Sequence, residues 1–183
     1  PAYVTKDLAE FIGYVVGDGH LDKNYIEISN EDQEVIDRID IVSQTLFDIK
    51  PNIKRDARTK AMYRLRLNSK TLVGILNKVF GIPIGKKGKH LRIPILIQKS
   101  NLEIIKYFLR AYFDCDASPA ENKRNIELCS ESEDIIIDTS YLLNRFGIIS
   151  SISKRVINDT PYWRLYLSGR YAEIYAKKIG FII

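Results

Sequence analysis

Cysteine is scarce in this 183-residue chain: Cys115 and Cys129 are the only two, and they share no CxxC spacing. A structural zinc site, a redox pair and a disulfide scaffold are therefore excluded, and because both lie in apolar segments both are expected to be buried thiols. Long apolar runs are missing too, since no stretch approaches the ~18 uncharged apolar residues of a membrane-spanning helix. The N-terminus has no basic, then apolar, then small-residue order of a secretory signal, so the expected location is intracellular, cytoplasmic or organellar. Nor is the composition extreme. With 45% hydrophobic and 28% charged residues the chain can bury a substantial core, as one medium domain or two small fused ones, which excludes disordered and collagen-like classes.

The net charge of +5 is modest, but it is unevenly spread. Lys50, Lys54, Arg55, Arg58, Lys60, Arg64, Arg66 and Lys70 face the single acid Asp56, and a second run, Lys86, Lys87, Lys89, Arg92 and Lys99, contains no acid. The stretches Glu27 to Asp40 and Glu131 to Asp138 are predominantly acidic. Such segregation suits a polyanion-facing surface backed by an ordinary solvated one, although scattered solubilising charge is the plainer alternative.

The chain also repeats itself. At a shift of 100 residues an ungapped match runs from residue 26 to the C-terminus: Ile26-Glu27-Ile28 on Ile126-Glu127-Leu128, Lys54-Arg55 on Lys154-Arg155, Tyr63-Arg64-Leu65-Arg66-Leu67 on Trp163-Arg164-Leu165-Tyr166-Leu167. Upstream, Phe11 to Gly19 matches Leu109 to Ala117 at a shift of 98. The period is too long for a solenoid and implies two related halves about a pseudo-twofold axis, 1–84 and 100–183, joined by a linker over 85–99. Each half reads as helix, two strands, helix, two strands, helix, an α+β architecture. Thr5 caps a helix to about Gly17, and Ser100 with Glu103 forms a capping box opening a helix to about Asp114. Hairpins with tips Asp22-Lys23-Asn24 and Asn122-Lys123-Arg124 lead into alternating strands over 25–29 and 125–129. Val35, Ile39, Val42 and Leu46 keep helical spacing, as do Ile135, Thr139, Leu142 and Phe146. Strands over 52–57, 61–68, 151–157 and 162–168 follow, and helices over 69–80 and 169–179 close the halves.

The opening helix of each half carries the chemistry. Gly13 and Gly17, matched by Ala111 and Cys115, put small residues four apart, a stripe along which two helix backbones can approach closely. An acid follows each stripe, Asp18 and Asp116, so packing the helices on each other brings two carboxylates together at negative helix ends. That is costly without a cation, and oxygen-only ligands favour Mg²⁺ or Ca²⁺ over zinc. Asp18-Gly19 alone also fits a helix stop and turn, but the second copy keeps the acid and replaces the glycine by Ala117.

The segments Phe11-Ile12-Gly13-Tyr14-Val15-Val16-Gly17-Asp18-Gly19 and Leu109-Arg110-Ala111-Tyr112-Phe113-Asp114-Cys115-Asp116-Ala117 resemble the two motifs of a double-motif LAGLIDADG homing endonuclease. The resemblance covers nearly the whole chain. It implies a monomer of two αββαββα halves whose antiparallel sheets form a saddle over the major groove of double-stranded DNA, needing neither membrane nor protein partner. It implies divalent-metal-dependent cleavage of both strands of a long, nearly asymmetric target, with Asp18 and Asp116 as metal ligands assisted by the backbone carbonyls of Gly17 and Cys115. Mg²⁺ is the expected ion, with Ca²⁺ a non-catalytic substitute. The family's water-ordering polar side chain falls on Asn30 and Ser130, and its basic residue near the scissile phosphate on Lys86 or Lys87. Alanine at 111 and 117, where glycine is usual, departs from the pattern. No block of intein-splicing residues flanks either end, so a free-standing endonuclease is expected over an intein-embedded one.

If Leu65, Leu67, Leu165 and Leu167 are buried, strand alternation turns Arg64, Arg66, Asn68, Arg164, Tyr166 and Ser168 to the opposite face as readers of DNA. Arginine pairs with guanine, and Glu27 and Glu127 could accept from cytosine. Lys23, Asn24, Lys123 and Arg124 at the hairpin tips, with Lys54, Arg55, Arg58, Lys154 and Arg155, complete the expected contacts, though for any one of them a phosphate contact or simple exposure is the plainer reading. Lys87 or Lys86 would neutralise charge building on the phosphate or act as a plain loop charge. A non-cleaving nucleic-acid binder on the same scaffold, an RNA maturase or a DNA-binding regulator, is the alternative function.

Overall fold

Each half is built around its opening helix. The computed structural model describes residues 3–56, 61–119 and 125–182; Arg58, Lys123 and Arg124 lie outside the described residues. Thr5 caps α1, Lys6–Gly17, accepting from the Leu8 N–H at 3.2 Å. The first half continues through β1 (Gly19–Leu21), β2 (Tyr25–Asn30), α2 (Gln33–Phe47), β3 (Asn52–Arg55), β4 (Tyr63–Asn68) and α3 (Lys70–Lys78). The linker holds a 3₁₀ turn at Gly88–His90 and the short helix α4, Ile95–Gln98. The second half runs α5 (Leu102–Asp116), β5 (Ala117–Pro119), β6 (Ile126–Ser130), α6 (Glu133–Asn144), β7 (Ser151–Ile157), β8 (Thr160–Leu167) and α7 (Gly169–Lys178). The two antiparallel sheets have the same order, β1-β2-β4-β3 and β5-β6-β8-β7.

α1 and α5 pack on each other along the small-residue stripe. A β-carbon added at Gly13 would sit 2.6 Å from the Phe108 carbonyl oxygen, and one at Gly17 would sit 2.5 Å from Cys115 Cβ. The two backbones are therefore in contact. Around this joint the core is continuous through both halves, including Phe11, Tyr14, Phe108, Tyr112, Phe113 and Tyr175. Glu10 on α1, only 1% exposed, takes a bidentate pair from Arg38 of α2, so a buried charge is matched rather than stranded.

Several expectations are corrected. Asn101, not Ser100, caps α5, accepting from the Ile104 N–H at 3.0 Å, while the Ser100 hydroxyl donates to the Leu96 carbonyl of α4. α5 runs on to Asp116, two residues beyond the expected end, because its close contact with α1 holds the last turn. Cys129 is exposed, since β6 alternates and Leu128 faces the core. The ungapped repeat also fails in one register. Lys54 pairs with Arg64 and Asn52 with Arg66, whereas Ser153 pairs with Arg164 and Ser151 with Tyr166. β7 is thus slipped by one residue relative to β3, and a one-residue slip exchanges the faces of a strand. Lys54 shares the outer face with Arg64, but Lys154 shares the core-side face with Trp163 and lies 5.2 Å from that ring's centroid. Arg55 pairs with Tyr63 on the core side, and Arg155 takes the outer face beside Tyr162. The second hairpin closes tightly through Asn158 and Asp159, both at positive φ, which sets the new register.

The linker is bound, not loose. Asp138 on α6, 3% exposed, accepts from Arg92 Nη2 at 2.7 Å, from the Ile93 N–H and from Gln98 Nε2, and the Ser132 hydroxyl donates to the Leu91 carbonyl at 2.6 Å.

The joint and the cap can each be weighed by unfolding. Gly13→Ala must push α1 off the Phe108 carbonyl and is expected to lower the urea unfolding free energy by about 1–3 kcal/mol. Asn101→Ala is expected to cost about 1 kcal/mol by removing the cap, and Ser100→Ala markedly less.

Candidate metal centre and nucleic-acid interface

Because α1 ends at Gly17 and α5 at Asp116, the contact between the helices delivers both acids to one place. Asp18 is the C-cap of α1, and its carboxylate accepts from Asn30 Nδ2 at 2.6 Å and is hydrogen-bonded by the Cys115 thiol. Asn30 is itself fixed, its Oδ1 accepting from the Asp32 N–H at 2.7 Å. Burial pushes the Asp18 carboxyl up, opposed by Asn30, Cys115 and Lys87. Asp116 is pushed up to about 7, by burial first and the Asp18 charge second, with Lys87 opposing. Burial raises the Cys115 thiol well above its ordinary range, with the Asp18 and Asp116 charges adding to the rise, so its sulfur faces Asp18 as a neutral donor.

Of the two candidate lysines, Lys87 enters this centre and Lys86 stays exposed. Lys87 Nζ donates to the carbonyls of Val16 at 2.7 Å, Val15 at 3.3 Å and Gly17. It caps the C-terminus of α1, where the helix dipole favours a cation. Burial lowers its affinity for the proton, and the two aspartates counter that. One ammonium thus faces two carboxylates, and the Gly17 carbonyl expected to reach a metal is held by it.

The residues fit a hard divalent cation. Among the described residues no cluster of three or more His, Cys, Asp and Glu forms a metal site. A cation at this centre would rest on two carboxylates with carbonyl and water oxygens, the sparse set that Mg²⁺ accepts. Asn30 and Ser130 are not equivalent, for Asn30 donates to Asp18 whereas Ser130 Oγ accepts from the Ser132 N–H at 3.1 Å in a turn.

Both sheets start at this centre, β1 and β5 following the two acids directly. Leu65, Leu67, Leu165 and Leu167 are fully buried, which turns Arg64, Arg66, Arg164 and Tyr166 to the outer face with Glu27 and Glu127. On the first sheet Glu27, Arg64 and Arg66 line a polar hollow of about 450 Å³ with Asn52, Lys54, Asp56 and Asn68, and Arg55, although its register faces it to the core side, reaches the same hollow from the exposed edge strand. Arg64 bonds Asp56, and Arg164 bonds Glu127 at 2.8 Å. Lys23 and Asn24 are exposed at the first hairpin tip, at the far end of β1 from Asp18. Ser168 has left the sheet and is the N-cap position of α7. Strand pairing adds outer-face residues that composition did not single out: Tyr25, Ser29, His20, Ser153 and Tyr162. Period-2 alternation carried across each ladder would have found them.

A pH dependence follows from the acid pair. The unfolded chain holds the Asp116 proton only to about pH 4, the folded one to about pH 7, so stability falls as pH rises between them. Asp116→Asn is therefore expected to stabilise the protein by about 1–2 kcal/mol at pH 8 in EDTA and to change little at pH 4, read by urea unfolding.

Comparison with known proteins places these features. A family model described as LAGLIDADG-like domain matches residues 5–80 and again 103–180. The replication factor C small subunit of Methanocaldococcus jannaschii is 38% identical over 171 residues, covering 90% of this chain and 9% of that protein. An A-type ATP synthase subunit of Pyrococcus abyssi is 35% identical over 169 residues, covering 92% and 16%. The chain spans only a small part of these relatives, whose names share no activity. Among solved structures, mesophilic variants of the homing endonuclease I-DmoI superpose with a TM-score of 0.75 at 16% identity, over 96% of this chain and 95% of that one. I-DmoI in complex with DNA and Mn gives 0.72 at 16% identity, over 96% of each. Full-length DUF199/WhiA from Thermatoga maritima gives 0.68 at 16% identity, over 96% and 55%. These likenesses establish a shared fold. With its sequence matched twice by one family model and its two halves folded alike, this chain belongs to the LAGLIDADG-like family.

Proposed function

We propose that the chain is a site-specific DNA endonuclease, active as a monomer, that makes a divalent-metal-dependent double-strand break in a long, nearly asymmetric target. Residues 1–84 and 100–183 are its two halves and 85–99 its linker. The observation that carries this reading is the pair of half-buried carboxylates at the joined ends of α1 and α5, from which two sheets with charged outer faces set out. The I-DmoI complexes with DNA and with Mn, Mg or Ca support it through the common fold.

Asp18 and Asp116 would hold Mg²⁺, with the carbonyls of Gly17 and Cys115 and water completing the shell. When bound, the ion polarises the scissile phosphate and acidifies the attacking water. Ligation would keep both aspartates ionised, which assigns them the holding of the ion and not the part of general base. Asn30 keeps the Asp18 carboxylate oriented, and Lys87 would set a positive charge beside the phosphate; because its ammonium holds the Gly17 carbonyl, that carbonyl could reach the ion only if the lysine let it go. The arginines of both outer faces hold the duplex. A non-cleaving nucleic-acid binder, an RNA maturase or a DNA-binding regulator, is the second reading. It draws on Ser130 being tied into its turn and on the likeness to DUF199/WhiA.

Incubation with supercoiled DNA bearing candidate sites separates the two readings. Double-strand cleavage in Mg²⁺, absent in EDTA, is expected. Asp18→Asn and Asp116→Asn are each expected to abolish it while leaving binding largely intact. Parent-like cutting by either variant would remove that acid from the centre, and binding without nicking in every condition would favour the second reading.

A further inference from the structure

The outer face of the first sheet carries an ion pair too ordered for general attraction to a polyanion, and its interpretation rests on the reading of the chain as a site-specific DNA-binding protein. Arg66 on β4 stands directly opposite Glu27 on β2. Its Nε and Nη2 both donate to Glu27 Oε2, at 3.0 and 2.6 Å. The guanidinium carbon lies 4.0 Å from the centroid of the Tyr25 ring. One edge and the plane of the guanidinium are thereby fixed, and its terminal Nη1–Nη2 edge is directed away from Glu27. Glu27 Oε2 takes both bonds, whereas among the described residues Oε1 has a 3.7 Å contact with Arg64 Nη1. The unit presents two donors beside one acceptor, in fixed order.

Charge decides what such a unit can bind. A phosphate is drawn by net positive charge, but Arg66 is already neutralised by Glu27, whose carboxylate repels phosphate oxygens. A base edge instead selects a pattern of donors and acceptors. In the major groove guanine offers N7 and O6 as acceptors, and its cytosine offers an amino donor, the complement of this unit. An A·T pair would set the adenine amino group against the arginine and the thymine O4 against the carboxylate, and a reversed pair would exchange the two. We infer that Arg66 and Glu27, steadied by Tyr25, together read one G·C base pair in the half-site under the first sheet, guanine at Arg66 and cytosine at Glu27.

The repeat supplies an internal contrast. At the matching rung of the second sheet Glu127 stands opposite Tyr166, and its arginine partner is Arg164, one outer-face position nearer the acids. In place of Tyr25 stands Asn125, whose side chain accepts from the Gly169 N–H. The reader therefore belongs to one half alone. Arg64 precedes Arg66 on the same face by two residues, roughly 7 Å along the strand, which corresponds to about two base-pair steps. β4 begins at Tyr63, opposite Asn30 beside Asp18, so Arg66 reads farther from the cleavage centre than Arg64.

A binding selection on a randomised target, with Ca²⁺ replacing Mg²⁺, tests this assignment. The wild type is expected to enrich guanine at one position. Arg66→Lys, which keeps the charge but not the fork, and Arg66→Ala are both expected to lose that preference by about tenfold or more. Other positions should stay unchanged, and Arg64→Ala should alter a different position about two base pairs inward. Retention of the preference by Arg66→Lys, or an even weakening on all sequences by Arg66→Ala, would make Arg66 a phosphate contact and overturn the inference. Enrichment of no sequence by the wild type would overturn the site-specific reading itself, and this assignment with it.

Discussion

The rest of the molecule depends on two helix backbones touching. Gly13 and Gly17 leave no room for a side chain against Phe108 and Cys115, so α1 and α5 meet closer than ordinary side chains permit. Everything at the centre follows from that contact. The two acids converge because each terminates a helix in the joint, and the sheets diverge from one place because each begins where its helix stops. The same contact is electrostatically adverse. Two half-buried carboxylates share one lysine at the negative end of a helix, an arrangement that is adverse for a structural core and that a bound cation would relieve.

Much of this was legible in the chain, because the features that carry it are local or periodic. The repeat, the Thr5 cap, the small-residue stripe and the alternation of Arg64-Leu65-Arg66-Leu67 depend on spacing alone. What could not be read depends on neighbours. The slip of β7 leaves no mark in the ungapped match, because it is set by the Asn158-Asp159 turn and by pairing across the ladder, and it moves Lys154 and Arg155 to faces opposite those of Lys54 and Arg55. Ser100 and Asn101 are both good capping residues, and only the preceding turn of α4 claims the serine hydroxyl. Lys86 and Lys87 are adjacent and alike; the direction of the linker decides which is swallowed.

Unequal halves are a recurring outcome. Between the copies the two aspartates, the strand leucines of the core and the outer-face pairs Glu27 with Glu127 and Arg64 with Arg164 are identical, whereas where α1 meets α5 it is small size that is kept, Gly13 and Gly17 against Ala111 and Cys115. Asn30 against Ser130, Arg66 against Tyr166 and Lys54 against Ser153 are all differences at positions that burial does not constrain. A duplicated fold can thus present two distinct surfaces while its joint remains nearly symmetric.

The clamp on the linker limits how such halves could be traded during evolution or by recombination. Arg92, Ile93 and Gln98 all donate to the one carboxylate of Asp138, and Leu91 accepts from Ser132, so this stretch is a fitted part of the second half although it precedes it in the chain. Lys87, a few residues earlier, is equally a fitted part of the first. A crossover placed after residue 99 would strand those donors against a foreign helix, whereas one between Lys87 and Leu91 would carry each lock with its key. The natural seam of inheritance in this fold is therefore the Gly88–His90 turn, not the apparent border between the copies.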